Sequence, residues 1–236
     1  MRHWIRSLDA VLRGEATRPE ALQRGTLDIP VGGMTILILI LGATYGVCMA
    51  CFAVFNRSDP QYLQMVSSAV KVPALFLLTL AITLPSLYVF NALIGSRLRA
   101  NAILNLLLAS LGVALAVLAS LGPIVAFFSF TTSSYAFMKL LNVAVFAFSG
   151  AAGLRFTMLT LFRMTRAEGV ETYPVSDRSV RMVFATWVVV FGLVGAQMSW
   201  VLRPFLGDPE RPFEWFRARE SNFFEAVRKT IGVVAE

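Results

Sequence analysis

Charge is scarce in this chain. Of 236 residues only 15% are Asp, Glu, Lys or Arg, against about 25% in an ordinary soluble domain. No acidic residue falls in any long apolar stretch, which argues against proton- or sodium-coupled transport through buried carboxylates. There is one histidine, His3, so neither a histidine-based metal site nor a Ser-His-Asp triad can be assembled. The two cysteines, Cys48 and Cys51, cannot complete a zinc site alone. Gly-x-x-x-x-Gly-Lys is missing, and with it a phosphate-cradling loop. The start, Met1-Arg2-His3-Trp4-Ile5-Arg6, lacks the continuous apolar core of a cleavable leader. No cofactor is expected.

What the chain has is apolar length. It is 57% hydrophobic with a mean hydropathy of +0.69. Its runs are continuous, without the ten-residue alternation of a membrane barrel. The expectation is an all-α polytopic membrane bundle of five spans, at about 31–55, 70–94, 102–128, 136–162 and 183–202, each near the roughly 20 residues needed to cross. Around the 31–202 membrane domain stand a 1–30 amphipathic helix and connector and a 203–236 aromatic amphipathic tail.

The net charge of +7 would suggest nucleic acid in a soluble protein. Here the basic residues flank apolar segments and suit anionic headgroups, so lipid is the expected partner and nucleic acid is not. Twelve arginines, Arg2 to Arg181, fall on one side of the five spans. Arg57, Lys71 and Lys139 fall on the other, and the tail adds six basic and six acidic residues. That bias puts the N-terminus in the cytoplasm and the tail outside a cell inner membrane.

Residues 2–13 predict an amphipathic helix. Trp4, Ile5, Leu8, Val11 and Leu12 share one face, with Arg2, Arg6, Asp9 and Arg13 opposite. It suits an anionic leaflet or the protein's own cytoplasmic side. Residues 56–69 read as a polar loop. The first span carries Gly42-x-x-x-Gly46-x-x-x-Ala50, a small-residue contact face. Pro85 should kink the second span. Asn91, Asn105, Arg155 and Gln197 are polar groups in apolar helices that would glue helices or line a pore. For Arg155, anchoring by snorkelling competes with a conduction role.

The tail opens with Trp200, Arg203 and Phe205. From Phe213, a helical wheel puts Phe216, Glu220, Phe223, Phe224 and Val227 on one stripe and Trp215 nearly opposite. Glu220 on an apolar stripe needs a cation, with Arg217 and Arg203 as candidates. Cys48-Met49-Ala50-Cys51 is a CxxC near a span end. DsbB-like and vitamin K epoxide reductase-like thiol–quinone oxidoreductases place one there, but they relay through a second cysteine pair, and this chain has two cysteines in all. Two small buried packing cysteines are the alternative.

Several stretches carry a resemblance: Leu12-Arg13-Gly14-Glu15, Tyr45-Gly46-Val47-Cys48-Met49, Lys71-Val72-Pro73 with Leu84-Pro85-Ser86-Leu87-Tyr88, and Leu202-Arg203-Pro204-Phe205. Together they are similar to bacterial five-span proteins distantly like the Yip1 family. The resemblance implies a non-enzymatic role in organising membranes and partner proteins, and it supplies no catalytic residue. The expected function is a non-catalytic membrane subunit or scaffold. It would assemble with identical copies or other membrane proteins through small-residue faces and the aromatic residues Trp4, Trp200, Trp215 and Phe216. A homo-oligomeric channel and a thiol–quinone oxidoreductase are the alternatives.

Overall fold

The computed structural model describes residues 2–15, 29–56, 61–93, 100–167, 177–203, 205–207, 213–216, 225, 227, 228 and 230. It is all-helical, with no strand among the described residues. The helices are α1 (Arg2–Leu12), α2 (Val31–Phe55), α3 (Tyr62–Leu93), α4 (Ala100–Thr131), α5 (Tyr135–Ala167) and α6 (Asp177–Val201). Helices α2 to α5 are each long and apolar enough to cross a membrane. The chain is therefore a helical integral membrane protein. In α6 the apolar part, Ala185–Val201, falls a few residues short of the usual crossing length.

Two boundaries differ from expectation. Helix α3 begins at Tyr62, where the sequence reading has a loop up to residue 69. Gln64, Ser67, Ser68 and Lys71 look like a loop by polarity, but they recur at i, i+3, i+4 and i+7 and form one helical stripe. Helix α4 continues to Thr131, past the expected end of the third span at about residue 128. Ser129 and Thr131 return their hydroxyls to the carbonyls of Val125 and Phe127 and so do not compete with the helix. Helix α3 also stays helical through Pro73 and Pro85. Around Pro85, Thr83 Oγ1 donates to the Thr79 carbonyl and Ser86 Oγ to that of Thr83. Residues 57–60 of the expected loop and the connection 94–99 lie outside the described residues.

The chain packs as two units. The first holds Met1–Ile38, Thr79–Ala114 and Gly150–Val194. Here α1 docks by Trp4, whose indole covers Gly33, and by Leu8, which meets Gly112 beside Met34. Gly153 lets α5 approach α4: a Cβ there would stand 2.8 Å from the Ser110 carbonyl oxygen. One turn on, Thr157 Oγ1 donates to Ser110 Oγ at 2.6 Å. Trp187 of α6 is fully buried and donates its indole N–H to the Thr83 carbonyl at 3.3 Å. With no water in the bilayer core, such pairs are how polar groups become buried there.

The second unit holds Leu39–Leu78, Leu115–Ser149 and Gly195–Glu236. Gly42 accepts the ring of Pro73, and Gly46 lies on the backbone of Ser68 and Ala69. The small-residue face of α2 is thus filled by α3 of the same chain. Tyr45, fully buried, donates its hydroxyl to Asn142 Oδ1 at 2.8 Å. Phe146 meets Tyr45 edge-on at 5.5 Å and stacks on Phe76 at 5.9 Å. Asn56 Nδ2 reaches the Ser129 carbonyl at 2.6 Å and ties the end of α2 to α4.

Tyr45→Phe leaves Asn142 Oδ1 without its donor, so stability should fall by about 1 kcal/mol. Adding Asn142→Leu removes the stranded oxygen and should recover part of that loss. Unfolding in mixed micelles would measure both, and a Tyr45→Phe protein as stable as wild type would show that the bond contributes nothing.

Candidate functional site

Among the described residues, the densest group of buried polar side chains lies in the second unit, on the first turns of α3. Gln64, Ser67, Ser68 and Lys71 are all buried, Lys71 to 3% exposure. Each would be costly in an apolar bundle without a partner. The partners come from the chain's C-terminal segment. Gln64 Nε2 donates to the Phe205 carbonyl at 2.8 Å and to Ser68 Oγ at 3.1 Å. Ser68 Oγ donates to the same Phe205 carbonyl, and Lys71 Nζ donates to the Trp215 carbonyl. Ser67 Oγ finds no hydrogen-bond partner among the described residues.

Local backbone chemistry brings the tail there. After α6 ends, Leu202 and Leu206 are buried, and Gly207 takes a φ of +71°. That left-handed turn favours glycine. The site is also tight: a Cβ on Gly207 would stand 2.9 Å from the Ala53 Cβ and 3.2 Å from Gln64 Cγ. Arg203 stacks on Trp200, its guanidinium carbon 3.7 Å from the ring centroid.

At Phe213–Phe216 the backbone bends rather than coils. The helical wheel drawn from Phe213 therefore does not hold at its start. The Trp215 carbonyl, which a helix would offer to a following amide, is taken by Lys71. The Lys71 ammonium also sits 5.0 Å from the Phe216 ring centroid and 6.0 Å from that of Trp215, within reach of a cation–π attraction. Phe213 meets Trp215 edge-on at 5.7 Å. Trp215 and Phe216 nonetheless remain 47% and 61% exposed. Their backbone is fastened while their rings stay open. Glu220 and Phe223 lie outside the described residues.

The remaining residues singled out in the sequence scatter. Pro85, Arg155 and Gln197 are exposed, and Asn105 is half-buried. Asn91 lies in α3, with its side chain outside the described set. Arg155 lies in the candidate span Tyr135–Leu161, about 9 Å of helix rise from its end, which an arginine side chain can cover by snorkelling. Cys48 and Cys51 are half-buried free thiols, and Cys51 Sγ donates to the Val47 carbonyl of its own helix. No group of three or more metal-ligating side chains occurs among the described residues.

The aromatic tail was visible in the sequence, but its receptor on α3 was missed. The signal was the polar spacing of residues 64, 67, 68 and 71. Comparison with family models, curated proteins and solved structures finds no match for this chain.

Proposed function

We propose that this protein is a non-catalytic integral membrane subunit or scaffold that acts by contact, with the Trp215–Phe216 corner as its contact element. The carrying observation is that corner: two large aromatic side chains held outward by a backbone that Lys71 fastens. Pre-ordered exposed aromatics suit an interface because little freedom is lost when they are covered. The partner is another membrane protein or a second copy of this chain. The small-residue positions left open for it are Gly32, Gly150 and Gly192, where a Cβ would meet nothing. Gly42 and Gly46 are already covered by α3. The Yip1-like resemblance supports the same reading, membrane organisation without catalysis. The arginine bias supports an inner membrane, with the N-terminus cytoplasmic, the C-terminal tail outside and α6 as a fifth crossing.

Trp215→Ala and Phe216→Ala should each weaken assembly about 30-fold, the effect of losing an interface residue worth about 2 kcal/mol. Membrane insertion and α2–α5 should be unaffected. Native mass spectrometry of gently extracted complexes would read this, and assembly unchanged in both variants would overturn the assignment.

A further inference from the structure

Helix α1 carries three sectors at roughly 100° per residue. Trp4, Leu8 and Val11 share the docked face: Leu8 and Val11 are buried, and Trp4 covers Gly33. About a quarter-turn away, Ile5 and Leu12 are 53% and 49% exposed. Beyond them, Arg6 and Arg13 are exposed on the far side. Arg13 pairs with Asp9 at 2.9 Å, and that hydrogen-bonded carboxylate holds its pKa above the ordinary value. The other flank offers only His3, Ser7 and Ala10. Burial against the bundle therefore explains one apolar sector and leaves the second, Ile5 and Leu12, uncovered.

The level at which α1 docks says what covers it. Its contacts are Gly33, within the first turn of the candidate span Val31–Phe55, and Gly112 of α4, which Met34 of α2 also meets. Gly33 stands at the start of that candidate span, where hydrocarbon gives way to headgroups. An apolar ridge there, followed around the helix by arginines, matches the gradient of an anionic leaflet: acyl chain first, then phosphate.

We propose that α1 is a lipid-binding element. Trp4 and Leu8 hold it to the bundle while Ile5 and Leu12 dip into the acyl boundary and Arg6 and Arg13 engage anionic headgroups. This does not depend on the role of the tail. The test is hydrogen exchange of residues 2–12 in the full chain, in nanodiscs of phosphatidylcholine alone and of phosphatidylcholine with phosphatidylglycerol. Exchange should be at least about ten-fold slower with phosphatidylglycerol. That slowing should vanish in Arg6→Gln/Arg13→Gln and weaken in Ile5→Ser/Leu12→Ser, while α2–α5 exchange as before. Equal exchange of the wild-type helix in the two lipids overturns the proposal. Slowing kept in full by both double variants, or slowing that requires a second protein rather than the anionic lipid, overturns it equally.

Discussion

Gly46→Val should leave little folded protein in a mild detergent extract. Even a single Cβ at this position would stand 2.8 Å from Ala69 Cα and closer still to the Ser68 carbonyl. These neighbours are backbone, so no side-chain rotation relieves the clash and α2 and α3 must separate. Overpacking in a core costs about 1–3 kcal/mol where side chains can yield, and the cost here should reach or exceed the upper end. Separation would also pull Ser68 away from the Phe205 carbonyl and loosen the tail as a second effect. Leu39→Val is the control, since Leu39 is an exposed side chain of the same helix. It should insert and extract like wild type. Thermal unfolding followed by size-exclusion chromatography would measure both, and equal behaviour of the two variants would refute the close α2–α3 crossing.

Lys71→Met should free the Phe213–Phe216 corner while leaving the bundle folded. Methionine keeps the apolar stem against α3 and loses the charged donor to the Trp215 carbonyl and the cation–π contacts with both rings. A hydrogen bond from a charged group contributes about 1.5–3 kcal/mol net, so hydrogen exchange at the corner should quicken by roughly 10- to 100-fold. Exchange within α2 and α4 should not change, because replacing a buried cation by an apolar isostere is often neutral for the fold. If the corner acts as an interface, the same variant should weaken assembly by a comparable factor with both aromatics still in place. Corner exchange equal to wild type would show that Lys71 does not fasten it.

Much of the fold could be read from the chain. Long apolar runs free of acidic residues mark α2 to α5, because burial in lipid admits little else. The close approach at Gly42 and Gly46 was also visible as small residues at helical spacing, but which helix fills the groove was not. A small residue specifies proximity, not a partner, and α3 of the same chain takes the place expected of a neighbour. The start of α3 was misplaced for a related reason. Gln64, Ser67, Ser68 and Lys71 are polar because the tail lies on them, and composition alone turns such a stripe into a loop. At the site, clustered aromatics drew attention to Phe205, Trp215 and Phe216, but it is the carbonyls of Phe205 and Trp215 that α3 holds. Their receptor lies too far along the sequence for any periodicity to connect it.

That separation sets a schedule for biosynthesis. The bonds from Gln64, Ser68 and Lys71 to the tail close over 141, 137 and 144 residues. At about 5–20 residues per second, α3 emerges roughly 7–30 s before the carbonyls that satisfy it. A helix with a lysine and three other polar groups on one face thus reaches the membrane while its acceptors do not yet exist. Water or the insertion machinery must serve that face for the interval, and the second unit can close only after the segment from Phe205 to Trp215 has left the ribosome.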